Sequence, residues 1–200
     1  MTGIASICVY CGSSPGRNAA YAASARRFGT DIARHGMRLT YGGGTRGIMG
    51  AVAEGALENG GEVLGIIPHF LLSKEAAESR SHPKAAQIVT RDMHERKHLL
   101  FENADAFVAF PGGIGTVEEI VEVMTWAQLG RHKKPIVFAN ILGFWDPMLA
   151  MIRHMQAEGF IHTGRLVQPL VVSDADAIIP AILSSAGTRA GGDADVIARL

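Results

Sequence analysis

The segment FVAFPGGIGTVEEI, residues 107–120, combines residue types that can bind an anion and act on the group attached to it. An apolar run is followed at once by Gly112, Gly113 and Gly115. Glycine has no Cβ, so its backbone amides can approach a phosphate closely. The first amides and the dipole of the helix predicted next attract negative charge. Thr116, at the predicted helix start, could donate its hydroxyl to the phosphate or cap the helix. The alternative is a tight turn without a ligand, since one glycine-rich turn alone is a weak signal.

Carboxylates follow this turn at helical spacing. Glu119 lies three residues after Thr116 and shares its face, so a phosphate on the turn would place an attached sugar within reach of Glu119. Glu118 is rotated by roughly 100° about the helix axis relative to Glu119, so it should point to a different side of the helix. Glu122 could share the face of Glu119, one turn further from the glycines. The alternative is that acids in a first helical turn only complement the helix dipole.

A second glycine-rich loop, YGGGTRGIMG at residues 41–50, has the same predicted arrangement of strand, glycines and helix. Gly43 and Gly44 are therefore further candidates for ligand binding, because two such loops can face each other across a crevice. No GK[ST] sequence follows, so the loop is not a P-loop. The fit to GxGxxG is loose, and the acidic candidate Glu62 opens the next predicted strand instead of ending it, which argues against NAD.

The segment DMHERKHLLFENA, residues 92–104, predicts a helix with a charged first half. Arg96 could make a bidentate contact with an anion or stabilise a departing base. The alternative is a solvated helix start with a pair between His98 and Glu102. His94 and His98 have the spacing of some zinc ligands, but no HExxH pattern accompanies them, so we expect no metal site.

Strand-like and helix-like segments alternate along the chain, as the apolar periodicity shows. The predicted strands are Ile4–Tyr10, Arg38–Tyr41, Glu62–Ile67, Gln87–Thr90, Ala106–Phe110, Pro135–Asn140 and Val167–Val172. The predicted helices are Asn18–His35, Gly47–Asn59, Asp92–Asn103, Thr116–Leu129, Trp145–Glu158 and Asp174–Leu183, with a helical turn within 68–85. This order predicts a Rossmann-like, doubly wound parallel sheet in a three-layer α/β/α fold. Residues 1–185 are predicted to form a single domain, and 186–200 a flexible C-terminal tail.

Composition and charge exclude several classes of protein. The 200 residues are 48% hydrophobic and 19% charged, which suits one globular domain. Lys and Arg together number 19, as do Asp and Glu, so no net basic charge is available to hold a nucleic acid. No apolar run approaches the length of a membrane span and the N-terminus does not resemble a secretory signal, so we predict a cytoplasmic protein. Cys8 and Cys11 lie in or at the end of a predicted strand and should point in opposite directions, which argues against a redox or metal pair.

Three motifs coincide in this chain: YGGGTRGIMG, MHERK at Met93–Lys97 and PGGIGTVEE at Pro111–Glu119. Together they resemble the LONELY GUY family of cytokinin-activating phosphoribohydrolases, and the resemblance covers most of the chain, from CGSS at Cys11–Ser14 onward. Ile48, where the family usually has Leu, is a small departure. Members of this family were long labelled lysine decarboxylases, but nothing here resembles the pyridoxal-phosphate lysine motif of a true decarboxylase.

The resemblance implies hydrolysis of an N6-substituted adenosine 5′-monophosphate, with AMP as a related substrate, to a free base and ribose 5-phosphate. It also implies a homodimer in which Arg96 and Glu119 are catalytic; we expect no cofactor. Predicted nucleotide contacts come from the glycine-rich loops, at Gly43, Gly44 and Gly112, and from the resemblance, at Glu78, Arg96, Lys97, Gly113, Ile114, Gly115, Thr116, Val117, Glu118, Glu119 and Thr125.

The sequence leaves some alternatives open. Glu119 could stabilise the positive charge that develops on a ribose, hold the ribose hydroxyls or orient the attacking water. Two other functions fit the glycine-rich loops: a nucleotide-binding carrier or sensor without catalysis, and a nucleosidase for another nucleoside monophosphate. The helix Glu118–Leu129 is apolar nearly all round, which favours a two-fold interface over burial within the layers of one chain.

Overall fold

The computed structural model describes residues 3–75, 85–161 and 168–197, so the predicted contact Glu78 lies outside the described residues. The strands are β1 Ser6–Tyr10, β2 Arg38–Tyr41, β3 Val63–Pro68, β4 Ala86–Thr90, β5 Ala106–Ala109, β6 Ile136–Ala139 and β7 Leu170–Val172. The helices are α1 Ala19–Arg34, α2 Gly47–Glu58, α3 His69–Glu75, α4 Met93–Glu102, α5 Ile114–Gln128, α6 Asp146–Ala157 and α7 Ile178–Ile197. Short 3₁₀ turns lie at Ile141–Gly143 and Ala175–Ala177.

The seven strands form one parallel sheet in the order β4-β3-β2-β1-β5-β6-β7. The central strand β1 pairs with β2 on one side and with β5 on the other. The carboxyl ends of β1 and β5 therefore lie at the point where the strand order reverses, which is where open α/β sheets bind ligands. The predicted doubly wound α/β fold is confirmed.

The sheet is covered on both faces, and the alternation of side chains in β1 shows how. Ile7, Val9 and Cys11 belong to the apolar core shared with α1, α2 and α7. Cys8 and Tyr10 belong to the core shared with α4 and α5 on the other face. The predicted opposite directions of the two cysteines are thereby confirmed, and both thiols are buried and free.

Helices α1 and α2 approach each other at two glycines. A Cβ on Gly29 would overlap the carbonyl oxygen of Val52, and one on Gly55 would overlap the carbonyl oxygen of Arg26. The two backbones are therefore in direct contact, and a larger residue at either position would force the helices apart.

Helix α4 connects strands that lie on opposite sides of β1. It starts after the edge strand β4 and leads to β5, so it crosses the strands between them. Asp92 caps it as predicted, with its side chain accepting a hydrogen bond from the Glu95 amide at 2.9 Å. This path brings α4 beside α5, and the two helices carry the charged residues of the candidate site.

Two helix bounds differ from the prediction. Helix α5 begins at Ile114, two residues before Thr116. Helix α7 continues to Ile197, far beyond the predicted end near Leu183. Ile178 and Ile182, near the start of α7, pack on the core. The prediction ended the helix near Leu183 because the apolar periodicity stops there. Once a helix has been nucleated, however, backbone hydrogen bonding can extend it without an apolar face.

Candidate active site

The turn between β5 and α5 presents unpaired backbone amides. Gly113 is the N-cap residue of α5, and its carbonyl accepts the Val117 amide at 3.1 Å. For the amides of Ile114, Gly115 and Thr116, the described residues provide no acceptor. A Cβ built on Gly113 or Gly115 would meet no atom within 4 Å, so this turn is open. Three orphan amides at the positive end of a 15-residue helix form a favourable place for an anion.

Thr116 does not cap the helix, which corrects one of its two predicted roles. It is the third residue of α5, and the N-cap Gly113 has no side chain with which to cap. The Thr116 side chain is buried against Gly112, where a Cβ would overlap it. Gly112 is therefore required for the close packing of Thr116 beneath the turn.

The glycine-rich loop before α2 differs from the turn before α5, although the sequence predicted the same design for both. The carbonyl oxygen of Gly12 accepts the amides of Ile48 at 3.1 Å and Met49 at 3.2 Å. The amide of Gly12 in turn donates to the Pro111 carbonyl at 3.1 Å, which ties the loop after β1 to the turn after β5. Two amides of the first turn of α2 are thus already satisfied within the chain.

A cavity of about 460 Å³ lies between the loops that follow β1 and β2. The residues that line it are Ser13, Ser14, Pro15, Gly44, Thr45, Arg46 and Gly47. The lining contains hydroxyls and a guanidinium but no carboxylate, and the buried Thr45 Oγ1 has no hydrogen-bond partner among the described residues. This set of donors suits an anionic or hydroxylated ligand. Of the predicted contacts, Gly44 lines this cavity, whereas Gly43, at φ 79°, packs against Ile67.

Sequence reasoning missed Ser13, Ser14, Thr45 and Arg46 as candidate ligand contacts. The signal was present, because polar residues directly after a predicted strand lie at the carboxyl edge of a parallel sheet. The prediction of ligand contacts was based on the neighbouring glycines instead.

Arg96 and Glu119, the two predicted catalytic residues, form a buried ion pair. Arg96 on α4 approaches Glu119 on α5 with Nη1 at 3.2 Å from Oε1, and the two side chains are only 9% and 10% exposed. Arg96 Nε also donates to the Ile66 carbonyl at 3.1 Å. A Cβ on Gly42 would overlap Arg96 Nη2, so this glycine makes room for the guanidinium.

Burial makes Glu119 unusually easy to protonate. Loss of solvent raises the pKa of Glu119 from 4.5 to about 7, although the charge of Arg96 acts in the opposite direction. Glu119 lies one helical turn after Thr116, and both side chains are buried, as predicted for a shared face. A carboxyl group that titrates near neutral pH beside a fixed guanidinium is suited to acid–base or electrostatic catalysis.

The other predicted contacts on α4 and α5 form two groups, one beside the Arg96–Glu119 pair and one on the outer side of α5. Lys97 Nζ lies 2.7 Å from Glu118 Oε1 and 3.0 Å from Glu122 Oε1, so Glu122 pairs on the side of Glu118 and not on the face of Glu119. Val117 and Thr125 lie on the outer side of α5, and the Thr125 hydroxyl donates to the Val121 carbonyl at 2.8 Å. Thr125 is six residues beyond Glu119, roughly 9 Å along the helix. Within one chain it is therefore remote from the orphan amides.

Two further features are absent from the described residues, namely a metal-binding cluster and a membrane-spanning helix. No group of three or more His, Cys, Asp or Glu side chains there is arranged to hold a metal ion. In the same part of the chain, no helix is both long enough and apolar enough to cross a membrane.

The fold and this site define a Rossmann-like α/β protein with a turn of unpaired backbone amides at the reversal of strand order. A family model described as "Possible lysine decarboxylase" matches residues 49–182. The cytokinin riboside 5′-monophosphate phosphoribohydrolase of Rhodococcoides fascians is 44% identical over 180 residues, which cover 90% of this chain and 89% of that protein. The enzyme of the same name from Oryza sativa subsp. japonica is 46% identical over 155 residues, which cover 78% of this chain and 63% of that protein.

The chain therefore belongs to the LONELY GUY family of phosphoribohydrolases, as the three motifs indicated. Solved structures share its fold at lower identity. The molybdenum cofactor carrier protein of Chlamydomonas reinhardtii matches with a TM-score of 0.66 at 23% identity, over 90% of this chain and 96% of that chain. The molybdenum cofactor binding protein of Rippkaea orientalis matches with a TM-score of 0.63 at 22% identity, over 90% of this chain and 95% of that chain.

Proposed function

We propose that this chain hydrolyses the N-glycosidic bond of adenosine 5′-monophosphates, with or without an N6 substituent, to release the free base and ribose 5-phosphate. Its relatives carry the name of this activity. The observation that carries the proposal is the buried Arg96–Glu119 pair, one helical turn from three orphan amides. An anion site and a reactive carboxyl group at this spacing match a sugar phosphate.

The 5′-phosphate is assigned to the amides of Ile114, Gly115 and Thr116. A three-residue step along α5 corresponds to roughly 4.5 Å, so a ribose attached to that phosphate reaches Glu119. The hydroxyl-lined cavity at Ser13, Ser14 and Thr45 lies next to the same turn, since Gly12 joins the two loops. We assign it to the phosphate-bearing end of the nucleotide.

In the proposed reaction the C1′–N9 bond breaks, and both of its electrons remain on the base. Positive charge develops on the ribose, and the Glu119 carboxylate stabilises it or orients the water that bonds to C1′. Arg96 stabilises the negative charge that gathers on the leaving base. The proton released by the attacking water ends on the base, so the products are neutral adenine or its N6-substituted form and ribose 5-phosphate.

The remaining nucleotide contacts are also proposals. Lys97 and Glu118 lie beside the catalytic pair, which supports their inclusion near the ligand. Thr125 lies far along α5, so it would reach a nucleotide only from a second copy of the chain. Glu78 is carried by the family resemblance alone.

We also propose that the chain acts as a homodimer in the cytoplasm. The outer side of α5 exposes Ile114, Val117, Val121 and Leu129, an apolar stripe that a second copy could cover. The free thiols of Cys8 and Cys11 fit a reducing compartment.

Release of base from AMP and from isopentenyl-AMP tests the proposed activity. We expect the wild-type chain to release free base and Glu119→Gln to lose roughly a hundredfold to ten-thousandfold in turnover, because the amide cannot carry the charge. Glu95→Gln on the outer side of α4 is the matched control and should keep normal turnover.

AMP binding to Glu119→Gln, measured by calorimetry, separates catalysis from binding and should persist. Near-normal release by this variant would remove Glu119 from the mechanism. AMP binding without any release by the wild-type chain would favour a carrier or sensor, and a panel of other nucleoside monophosphates would reveal a different base.

A further inference from the structure

Two methionine side chains lie next to the guanidinium of Arg96, and both residues are partly exposed. Arg96 Nη1 donates to Met93 Sδ at 3.8 Å. Met49 approaches the same group from the loop before α2, since a Cβ on Gly42 would lie 3.3 Å from Met49 Sδ and would overlap Arg96 Nη2. Two thioethers therefore lie beside the side chain that contacts the leaving base in the proposed reaction.

Both methionines lie at the carboxyl edge of the sheet, as the candidate site does. Met49 is the third residue of α2, which follows β2, and its amide donates to the Gly12 carbonyl at 3.2 Å. Met93 is the first residue of α4, directly after the cap Asp92. Because helices that follow parallel strands begin at the same edge of the sheet, two separate elements bring their thioethers to one guanidinium.

The proposed path of the nucleotide directs its base toward these thioethers. Glu119 and Met93 approach Arg96 at Nη1, whereas Met49 lies beside Nη2. In the proposed reaction the ribose lies at Glu119, and N9 of the purine is bonded to that ribose. The N6 position is at the opposite end of the purine. A base held along Arg96 therefore extends its N6 substituent away from Glu119, to the partly exposed methionines.

Thioethers suit an apolar substituent of variable shape. A methionine side chain is unbranched and has three rotatable bonds, so it adapts to ligands of different size, and its polarisable sulfur packs favourably on aromatic rings. The thioether donates no hydrogen bond and accepts one only weakly. Such a surface binds alkyl or alkenyl groups favourably and still admits unsubstituted adenine.

We propose that Met49 and Met93 form the surface on which the N6 substituent of the base packs, and that they set a preference for apolar substituents over unsubstituted AMP. This inference rests on the proposed function, because it requires a nucleotide with its ribose at Glu119 and its base at Arg96. Neither methionine carries a proton or a charge that hydrolysis uses, so their contribution is to the choice of substrate.

The test is the ratio of kcat/KM for isopentenyl-AMP to kcat/KM for AMP, because AMP serves as an internal measure of general damage to the site. Met49→Gln and Met93→Gln keep the length of the side chain and replace the thioether with an amide. We expect each change to lower the ratio about tenfold, through a loss for isopentenyl-AMP that exceeds the loss for AMP. Met49→Leu and Met93→Leu keep an apolar surface of similar volume and should hold the ratio within about threefold. Met151→Gln, at an exposed position on α6, is the control and should not change the ratio.

Binding of the free bases, measured by calorimetry, gives a second readout that requires no turnover. The wild-type chain should bind isopentenyladenine more tightly than adenine, and the two glutamine variants should reduce that difference. An unchanged ratio in both glutamine variants, or an equal proportional loss for the two nucleotides, would overturn the inference. Failure of the proposed function has a different result, in which the wild-type chain releases no base from either nucleotide. The calorimetric difference between the two bases then still decides whether the methionines bind the substituent.

Discussion

At the scale of single residues, one glycine and one arginine explain why two motifs far apart in the sequence belong together. The bare backbone of Gly42 leaves space for the guanidinium of Arg96, fifty-four positions later by their numbering. Sequence reasoning interpreted the loop that contains Gly42 as a ligand-binding loop, with Gly43 and Gly44 as the candidate contacts. In the structure, Gly42 of that loop makes room for a protein side chain, and the unpaired amides of Ile114, Gly115 and Thr116 lie on the other glycine-rich turn.

The titration of Glu119 predicts how activity depends on pH. Because the pKa of Glu119 is raised to about 7, the carboxylate that the reaction needs is formed only as pH rises through that value. We expect kcat/KM to increase about tenfold per pH unit on the acidic side and to level off above neutral pH. A rate that falls through this range would show that the protonated carboxyl group is the active form.

The matched test of that assignment is Arg96→Met, observed by NMR titration of Glu119. The charge of Arg96 lowers the pKa of Glu119, so its removal should shift the titration to higher pH. Arg153→Met, on the exposed side of α6, should leave the titration in place.

At the scale of helices and strands, α5 shows how far local sequence patterns can lead. Its apolar period and the preceding glycines predicted a helix near the correct position, with its start at Thr116 directly after the glycine-rich turn. The structure starts the helix two residues earlier, at Ile114. That difference buries Thr116 and exposes the amides of Ile114 and Gly115.

The crossing of α1 and α2 predicts a strong effect of one methyl group. In Gly29→Ala the new Cβ would overlap the Val52 carbonyl, so we expect a loss of about 1–3 kcal/mol in the free energy of unfolding. Urea denaturation followed by circular dichroism measures it. Gly187→Ala in α7, where a Cβ meets nothing within 4 Å, is the control and should not lose stability. Equal midpoints for the two variants would show that the helices can separate at no cost.

At the scale of the whole molecule, the sheet order decides which loops meet. Alternating strands and helices could be predicted from periodicity, and with them the fold class. The contact between Arg96 and Glu119 could not, because it requires that α4 cross from the edge strand β4 to β5. Helix propensities and spacing contain no information about that path. The family resemblance identified both residues without showing that they touch.

The exposed side of α5 leads to a prediction about assembly. Ile114, Val117, Val121 and Leu129 remain exposed in one chain, although Ile120 and Val123 are buried in its core. We expect Val121→Glu to convert a dimer into a monomer, as measured by light scattering over a range of concentrations. Met151→Glu, at an exposed position on α6, should not. A wild-type chain that is monomeric at all concentrations would contradict the assignment.

The balance of charges between α4 and α5 has a consequence for how a substrate arrives. Arg96 and Lys97 contribute two positive charges, and Glu118, Glu119 and Glu122 contribute up to three negative ones, so this corner is not electropositive. A doubly charged phosphate ester therefore meets no long-range attraction from these side chains. Capture would begin at contact distance, where the peptide dipoles of the helix start act on the phosphate oxygens.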